Sequence, residues 1–132
     1  AGTQPQEKGK PAVDKQTQLN DVIQGLRSAI AELREVLIAS TDGLAIAHSH
    51  GASDPNRVAA MTAATLGVGK RISTTLDLGE MRETTVKSAN GQAFLYSIGS
   101  KGVLVLIAQA DANVGLINLE ARDAAAKLDE IL

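Results

Sequence analysis

Two short runs of the chain contain residue types that do chemistry, and the first has some likeness to a phosphate-binding loop. Gly67-Val68-Gly69-Lys70-Arg71 offers backbone amides and a lysine, the groups that cradle phosphate in such loops. The run lacks the first glycine of that motif, and Arg71 stands where a Ser or Thr would ligate magnesium. A dinucleotide-binding fingerprint also fails, because its third glycine would fall at Ile72. The chain is therefore not expected to bind a nucleotide itself.

The second run is a pair of histidines, His48 and His50, at the end of a predicted strand. Side chains two residues apart share one side of a strand, so this pair could ligate a metal ion. The candidate third ligands are Asp42 and Asp54, and two histidines at one strand end do not build a Ser-His-Asp triad. We favour the simpler interpretation that both histidines are exposed polar residues. We expect no metal, no cofactor and no catalytic residue, and hence no enzyme.

The composition argues against several other functions. The chain of 132 residues has no cysteine, which excludes disulfides, thiol catalysis and zinc–thiolate sites. Its formal net charge of -2 argues against nucleic acid or an anionic membrane surface as a partner. One Phe, one Tyr and no Trp argue against base stacking and against an aromatic-lined ligand pocket.

The N-terminal residues differ in composition from the rest of the chain. Gln, Lys, Gly and Pro dominate there, which predicts a disordered tail over residues 1–17 and one domain over residues 18–132. The tail lacks the apolar segment of a signal peptide, and no later apolar run approaches the roughly 18 residues that cross a bilayer. We therefore expect a cytoplasmic protein without membrane insertion.

Hydrophobic periodicity divides the domain into three helices and five strands. Asp54 and Pro55 mark a helix start as N-cap and first helical residue, and Asp111 is predicted to cap the last helix. Asn90-Gly91 predicts a hairpin turn, because both positions accept left-handed backbone. The predicted helices cover about residues 18–32, 55–76 and 112–131, and the predicted strands about 36–39, 44–48, 81–89, 92–99 and 103–110.

The order helix-strand-strand-helix-strand-strand-strand-helix predicts an α+β fold in three layers. One five-stranded antiparallel or mixed sheet would carry helices on both faces, because the strand over residues 103–110 is apolar on both sides. The strand over residues 81–89 carries three charges and is predicted to lie at an edge. An open edge is a template for pairing, so we expect this strand to pair with its own copy in a two-fold dimer.

The helix that begins at Pro55 has no charge from Val58 to Val68, which is unusual for a surface helix. One apolar stripe at helical spacing is predicted to lie on the core of the domain: Val58, Met61, Thr65, Val68, Ile72 and Leu76. A second set, the small-residue stripe, would let another chain approach closely: Ala60, Ala64 and Gly67, ending at Arg71.

Four segments of the chain, taken in their order, carry a resemblance to a known family. They are VLIASTDGLAIAHS, the alanine-rich second helix, ETTVKSANGQAFLYSIG and VLVLIAQADANVGLINLEARDAA. With them, the chain from about Leu19 to Leu132 resembles the Roadblock / dynein light-chain domain family, in its bacterial MglB-like branch, which partners small Ras-like GTPases. The resemblance implies a profilin-like fold.

The same resemblance implies a dimer whose sheet continues across the two-fold axis, with the second helices exposed as a docking face for the GTPase. Some members of the family speed GTP hydrolysis by reshaping the GTPase, and others only scaffold, so we expect a non-catalytic dimeric regulator or scaffold. The expected homodimer interface comprises Ala60, Ala64, Gly67, Met81, Arg82, Thr84 and Val86, and the expected GTPase contacts are Arg57, Lys70 and Arg71. The alternative is a self-associating assembly or sensor-like module without a GTPase partner.

Overall fold

The computed structural model describes residues 14–51 and 53–132, and over these residues it has the predicted order of three helices and five strands. The elements are α1 (Lys15–Ala29), β1 (Leu33–Ser40), β2 (Ala45–His48), α2 (Pro55–Thr75), β3 (Glu83–Ser88), β4 (Gly91–Ile98), β5 (Gly102–Ala108) and α3 (Val114–Ile131). Within the described residues, none of the helices has the length and apolar character needed to cross a membrane.

The five strands form one antiparallel sheet in the order β2-β1-β5-β4-β3. Strand β5 is apolar on both sides and lies in the middle, where it pairs with β1 and β4. The polar strand β3 lies at one edge, as predicted, and the short strand β2 lies at the other. Helices α1 and α3 cover one face and α2 covers the other, so the predicted three-layer α+β fold is confirmed.

Two hydrophobic clusters fill the layers on either side of the sheet. The larger cluster lies beneath α1 and α3 and includes Phe94 and Ile98. The smaller cluster lies beneath α2 and includes Leu95 and Val105. Because successive side chains of a strand point to opposite faces, β4 and β5 contribute to both clusters. The middle strands are therefore buried on both faces, between the α1–α3 layer and α2.

Helix α1 begins earlier than the sequence predicts. Asp14 is its N-cap, and the Asp14 carboxylate accepts a hydrogen bond from the Thr17 amide at 2.8 Å. This bond holds the pKa of Asp14 below its ordinary value. Residues 15–17, which the sequence analysis placed in the tail, are therefore helical. The rest of the predicted tail, residues 1–13, lies outside the described residues.

The N-cap prediction is confirmed for α2 but wrong for α3. Asp54 caps α2, with Pro55 as the first helical residue. The N-cap of α3 is Asn113 and not Asp111. A turn after β5, closed by a bond from the Ala112 amide to the Gln109 carbonyl at 3.2 Å, keeps Asp111 outside the helix. The Asn113 side chain then accepts the free amide of the first turn at 3.0 Å.

The prediction for the buried side of α2 was wrong. The residues that α2 buries are Ala59, Thr62, Leu66 and Ser73. The stripe predicted to be buried is instead half-buried at Val58 and Thr65 and exposed at Met61, Val68, Ile72 and Leu76. At Gly69 the helix lies close to its neighbours: a methyl group built there would lie 3.0 Å from Met81 Cε and 3.3 Å from Thr84 Oγ1, so a larger side chain does not fit at that point.

Helix α2 ends in a hydrogen-bonded turn that requires a left-handed residue. The Leu78 amide donates to the Ser73 carbonyl at 2.8 Å, and the Asp77 amide donates to the Thr74 carbonyl at 3.3 Å. This is the Schellman pattern, in which glycine usually takes the left-handed position. Here Asp77 takes it, with a φ of 54°. The Cβ of a non-glycine residue costs about 1 kcal/mol there, and the carboxylate faces the negative end of the helix.

Replacing Asp77 by Gly or Asn should therefore stabilise the protein. Asp77→Gly removes both the strain and the unfavourable charge, and we expect the free energy of unfolding to rise by about 1 kcal/mol. Urea denaturation at matched protein concentration measures the difference. The control is Asp77→Ala, which removes the charge but keeps a Cβ at positive φ. An equal gain from the alanine variant would contradict the conformational explanation.

Candidate protein-interaction surface

Strand β3 leaves one row of backbone groups without a partner strand. The Ser97 amide donates to the Arg82 carbonyl at 2.9 Å, so the backbone groups of Arg82 face β4. Because these groups alternate in direction along a strand, the N–H and C=O groups of Glu83, Thr85 and Lys87 face away from the sheet. No strand pairs with that side in the part of the chain that the structure describes. The row is a template for strand addition.

The two flanks of α2 face opposite ends of β3. Lys70 and Thr74 lie beside the β4–β5 turn, in a groove that Ser97 also lines. That turn is level with the start of β3, because Ser97 is bonded to Arg82. The other flank of α2 therefore looks toward the end of β3, where Val86 lies on the same face of the sheet.

The flank that looks toward the end of β3 is apolar and exposed. This apolar flank comprises Met61, Thr65, Val68, Ile72 and Leu76. The exposed fractions are 53% for Met61, 53% for Val68, 50% for Ile72 and 63% for Leu76, and the neighbouring Val86 of β3 is 46% exposed. At helical spacing these side chains form one strip, and its C-terminal part lies near the open strand edge, where Gly69 meets Thr84. Exposed apolar strips of this kind mark interaction sites.

The small-residue stripe lies on the outer side of α2, away from the end of β3. Ala60, Ala64 and Gly67 are all exposed, and a methyl group built on Gly67 would meet no atom within 4 Å. Arg57 and Arg71 are exposed near the two ends of the stripe. Their spacing in the helix places their backbones about 21 Å apart. The outer side of α2 therefore presents small side chains between two cations.

The remaining predicted contact residues occupy different positions. Arg82 and Val86 are exposed at the β3 edge, whereas Met81 and Thr84 are half-buried beneath α2. Lys70 is half-buried on the flank beside the β4–β5 turn. The structure thus separates Lys70 from Arg71, although the two residues are adjacent in the sequence. Helical periodicity was the signal that could have separated them, since neighbours in a helix point about 100° apart.

The sequence analysis missed the residues whose backbone forms the open row, Glu83, Thr85 and Lys87. Alternation along an edge strand is readable from the sequence, but it does not say which alternate set faces the neighbouring strand. That choice follows from the register of β3 against β4, in which Glu83 lies opposite Tyr96. Exposed Leu78, in the loop after α2, was also missed.

A shallow groove on the other side of the edge, of ≈ 980 Å³, lies between α3 and the loop that precedes β3. Three of its polar side chains have hydrogen-bond partners. Arg122 donates to the Glu83 carboxylate through Nε at 3.0 Å and through a terminal nitrogen at 2.6 Å. The Tyr96 hydroxyl donates to Asn118 Oδ1 at 2.5 Å. These bonds occupy the Glu83, Arg122 and Tyr96 side chains on this side of the edge.

Two pKa shifts follow from this arrangement. The hydrogen bonds from Arg122 hold the pKa of Glu83 below its ordinary value of 4.5. Burial raises the pKa of Tyr96 from 10.0 to about 12, and the nearby Glu83 carboxylate acts in the same direction. At neutral pH the β3 edge therefore carries a charged carboxylate beside a neutral phenol.

The two histidines are not neighbours on one strand. His48 is the last residue of β2 and is exposed, with its Nδ1 atom 3.0 Å from the Ser49 carbonyl oxygen. His50 lies beyond the strand and is also exposed. Over residues 14–51 and 53–132, no group of three or more His, Cys, Asp or Glu residues could hold a metal ion.

The fold and its exposed edge define a class of protein. A five-stranded antiparallel sheet between one helix and a helix pair is a profilin-like architecture. Its exposed apolar surface consists of one flank of α2 near the open edge of β3. The chain belongs to the Roadblock/LC7 domain family, whose sequence profile matches residues 19–108. The family and the fold predicted from the sequence are therefore confirmed.

Individual relatives agree with this assignment. An uncharacterised protein of Methanocaldococcus jannaschii is 30% identical over 93 residues, which cover 70% of this chain and 81% of that protein. The structure of Myxococcus xanthus MglB matches with a TM-score of 0.82 at 21% identity, covering 89% of this chain and 97% of that one. Acanthamoeba castellanii profilin IA matches with a TM-score of 0.62 at 17% identity, covering 89% and 98%. Family membership supports a regulatory or scaffolding role.

The raised pKa of Tyr96 predicts a pH-dependent stability that can be measured cleanly. Because the fold favours the neutral phenol, this contribution is fully present below pH 10 and is lost as the pH rises through about 12. Tyr96 is the single tyrosine and the chain has no tryptophan, so the near-ultraviolet absorbance of phenolate reports this residue alone. Tyr96→Phe is the blank. Titration at the pKa of free tyrosine in the folded protein would contradict the predicted burial.

Proposed function

We propose that this protein is a non-catalytic, dimeric regulator or scaffold of a small Ras-like GTPase in the cytoplasm. The family assignment supports the regulatory or scaffolding role, and the resemblance described above supports a GTPase as the partner. In this proposal two copies associate through β3 and the apolar flank of α2. The outer side of α2 then receives the GTPase.

The observation that carries the proposal is an exposed apolar flank beside an unpaired strand edge. Either feature alone is a liability in a monomer, since open edges and apolar patches both favour aggregation. A second copy related by a two-fold axis satisfies both together, because the edge strands pair and both α2 helices then lie on the same face. Covering the half-exposed Val68, Ile72 and Leu76 contributes on the order of 1 kcal/mol per side chain.

The charge of α2 favours an acidic partner. The helix contains Arg57, Lys70 and Arg71 but no Asp or Glu, although the whole chain has a net charge of -2. Arg57 and Arg71 place positive charge at both ends of the small-residue stripe. A GTPase with acidic residues around its nucleotide-sensing loops complements this surface and is steered toward it. The proposal thus moves Ala60, Ala64 and Gly67 from the expected dimer contact to the GTPase contact.

The proposed mechanism is docking and not direct catalysis. The outer side of α2 presents two arginines but no carboxylate or histidine that could orient water. An arginine finger must reach the transferred phosphate within the partner's own site. We instead propose that any faster hydrolysis arises because docking favours the GTPase conformation that hydrolyses GTP. The chain supplies binding energy, and the partner supplies every reacting group.

The direct test is binding to a small Ras-like GTPase from the same organism, loaded with a GTP analogue or with GDP. We expect tighter binding to the GTP-analogue state, with hydrolysis followed in parallel samples. Faster turnover would make the protein an activator, and unchanged turnover would make it a scaffold. Absence of binding in both states would contradict the proposal and favour a self-associating module.

Reversing the charge of Arg71 tests which side of α2 docks. Arg71→Glu places a negative charge beside the acidic partner, so we expect binding to weaken by about tenfold or more without a change in sedimentation. Lys70→Glu is the matched control, since Lys70 lies on the flank beside the β4–β5 turn. Equal losses from both variants would indicate a non-specific charge effect and would refute docking on the outer side.

A further inference from the structure

We propose that the two copies of β3 pair antiparallel with Thr85 on the two-fold axis and with Glu83 opposite the partner's Lys87. This inference rests on the proposed dimer and adds its register. The register decides which side chains meet across the axis and how far apart the two α2 helices lie. Three features of β3 and α2 support the same choice.

Symmetry leaves few possible registers. A two-fold axis perpendicular to the sheet makes the paired strands antiparallel and keeps each face of the sheet on the same side. Residues directly opposite each other then point to the same face of the sheet. Each residue of β3 therefore lies opposite a residue whose number differs from its own by an even number or by zero. One residue of β3 must therefore lie opposite its own copy on the axis. Near the middle of the strand, the candidates are Thr84, Thr85 and Val86.

The first supporting feature is the direction of the backbone groups. The outward N–H and C=O groups belong to Glu83, Thr85 and Lys87. With Thr85 on the axis, Thr85 exchanges hydrogen bonds with its own copy, and Glu83 exchanges them with the partner's Lys87. Every outward residue of the strand then has a partner within the strand. With Thr84 or Val86 on the axis, one outward residue lies opposite a residue beyond the end of the strand.

The second feature is charge complementarity across the axis. Glu83 and Lys87 point to the same face, and the Thr85 register places each opposite the other twice. Opposite charges directly across a strand pair are favourable. On the α2 face the same register places Thr84 opposite the partner's Val86, and β-branched pairs suit such positions. The registers centred on Thr84 or Val86 do not place opposite charges directly across from each other.

The third feature is the position at which α2 crosses β3. A methyl group built on Gly69 would lie 3.3 Å from Thr84 Oγ1, so α2 passes over Thr84. A pair centred on Thr84 would bring both helices over the same residues, where they would collide. A pair centred on Val86 would separate the crossing points by about 14 Å, wider than the spacing of packed helices, about 8–10 Å.

The Thr85 register gives an intermediate spacing of the helices. It separates the crossing points by about 7 Å along the strands. Gly69, which meets Thr84, lies between the buried residues of α2 and its apolar flank. The apolar flank faces the partner, so the two helix axes lie somewhat further apart than the two crossing points. The apolar flanks of the two helices, including Val68 and Ile72, are then within reach of each other. Val86 of each copy lies beneath them.

Single cysteines test this register in the full-length chain, because the protein has no cysteine of its own. Directly opposite residues of an antiparallel pair have Cα atoms about 5.5 Å apart when hydrogen-bonded, which a disulfide can span. We expect Thr85→Cys to form a covalent dimer under mild oxidation at low protein concentration. Thr84→Cys and Val86→Cys are matched controls and should remain without cross-links, because each would lie diagonally from its own copy.

A second pair of variants keeps the test independent of any one substitution. An equimolar mixture of Glu83→Cys and Lys87→Cys chains should cross-link only between the two kinds of chain. Neither variant alone should form a covalent dimer. The residue opposite Glu83 differs in each of the other registers, so this mixed cross-link identifies the Thr85 register.

The outcomes separate the register from the proposed function. Self-cross-linking of Thr84→Cys or Val86→Cys in place of Thr85→Cys would overturn the register and retain the paired edge. A dimer by sedimentation without cross-links in any variant or mixture would also overturn it, since β3 would not be the pairing strand. A monomeric wild-type chain at micromolar concentration would remove the dimer on which the inference rests, whatever the GTPase-binding result.

Discussion

Hydrogen bonding at the edges of the sheet is the constraint on which the interaction surface depends. Inner strands such as β5 satisfy both rows of backbone groups, but within residues 14–51 and 53–132 the strands β2 and β3 each leave one row unpaired. The two edges differ in physical character. Strand β2 is short and its pairing with β1 is irregular between Ile38 and Ala39, which makes it a poor template. Strand β3 pairs regularly with β4 along its whole length and offers a straight open row.

The second helix converts this open edge into a larger surface. Its close approach at Gly69 leaves no room for a larger side chain there, and Ala59, Leu66 and Ser73 are buried on the inner side. Other apolar residues such as Ile72 lie outside, beside the open strand. A monomer gains nothing from that arrangement, because exposed apolar area favours association. Helix packing and strand pairing therefore leave an apolar flank and an open strand row on the same side of the molecule.

Several polar groups beside the open edge are bonded to one another. Glu83 and Tyr96 already have partners in Arg122 and Asn118, and the pKa shifts follow from that pairing and from burial. A regulator or scaffold acts by the free energy of binding, which can shift the conformations of a bound partner. That is the physical content of a regulatory or scaffolding role for this Roadblock/LC7 family member.

The sequence alone determined the element order, the central position of β5, the edge position of β3 and the cap at Asp54. These features depend on local capping, turn chemistry and hydrophobic periodicity, which are properties of neighbouring residues. The tertiary structure decided which side of α2 is buried, because that depends on how closely the helix approaches the sheet and not on which stripe is more apolar. It also decided the start of α3 at Asn113 and the direction of the β3 backbone groups. Both depend on contacts with other elements, the turn that follows β5 and the register with β4, which no local pattern encodes.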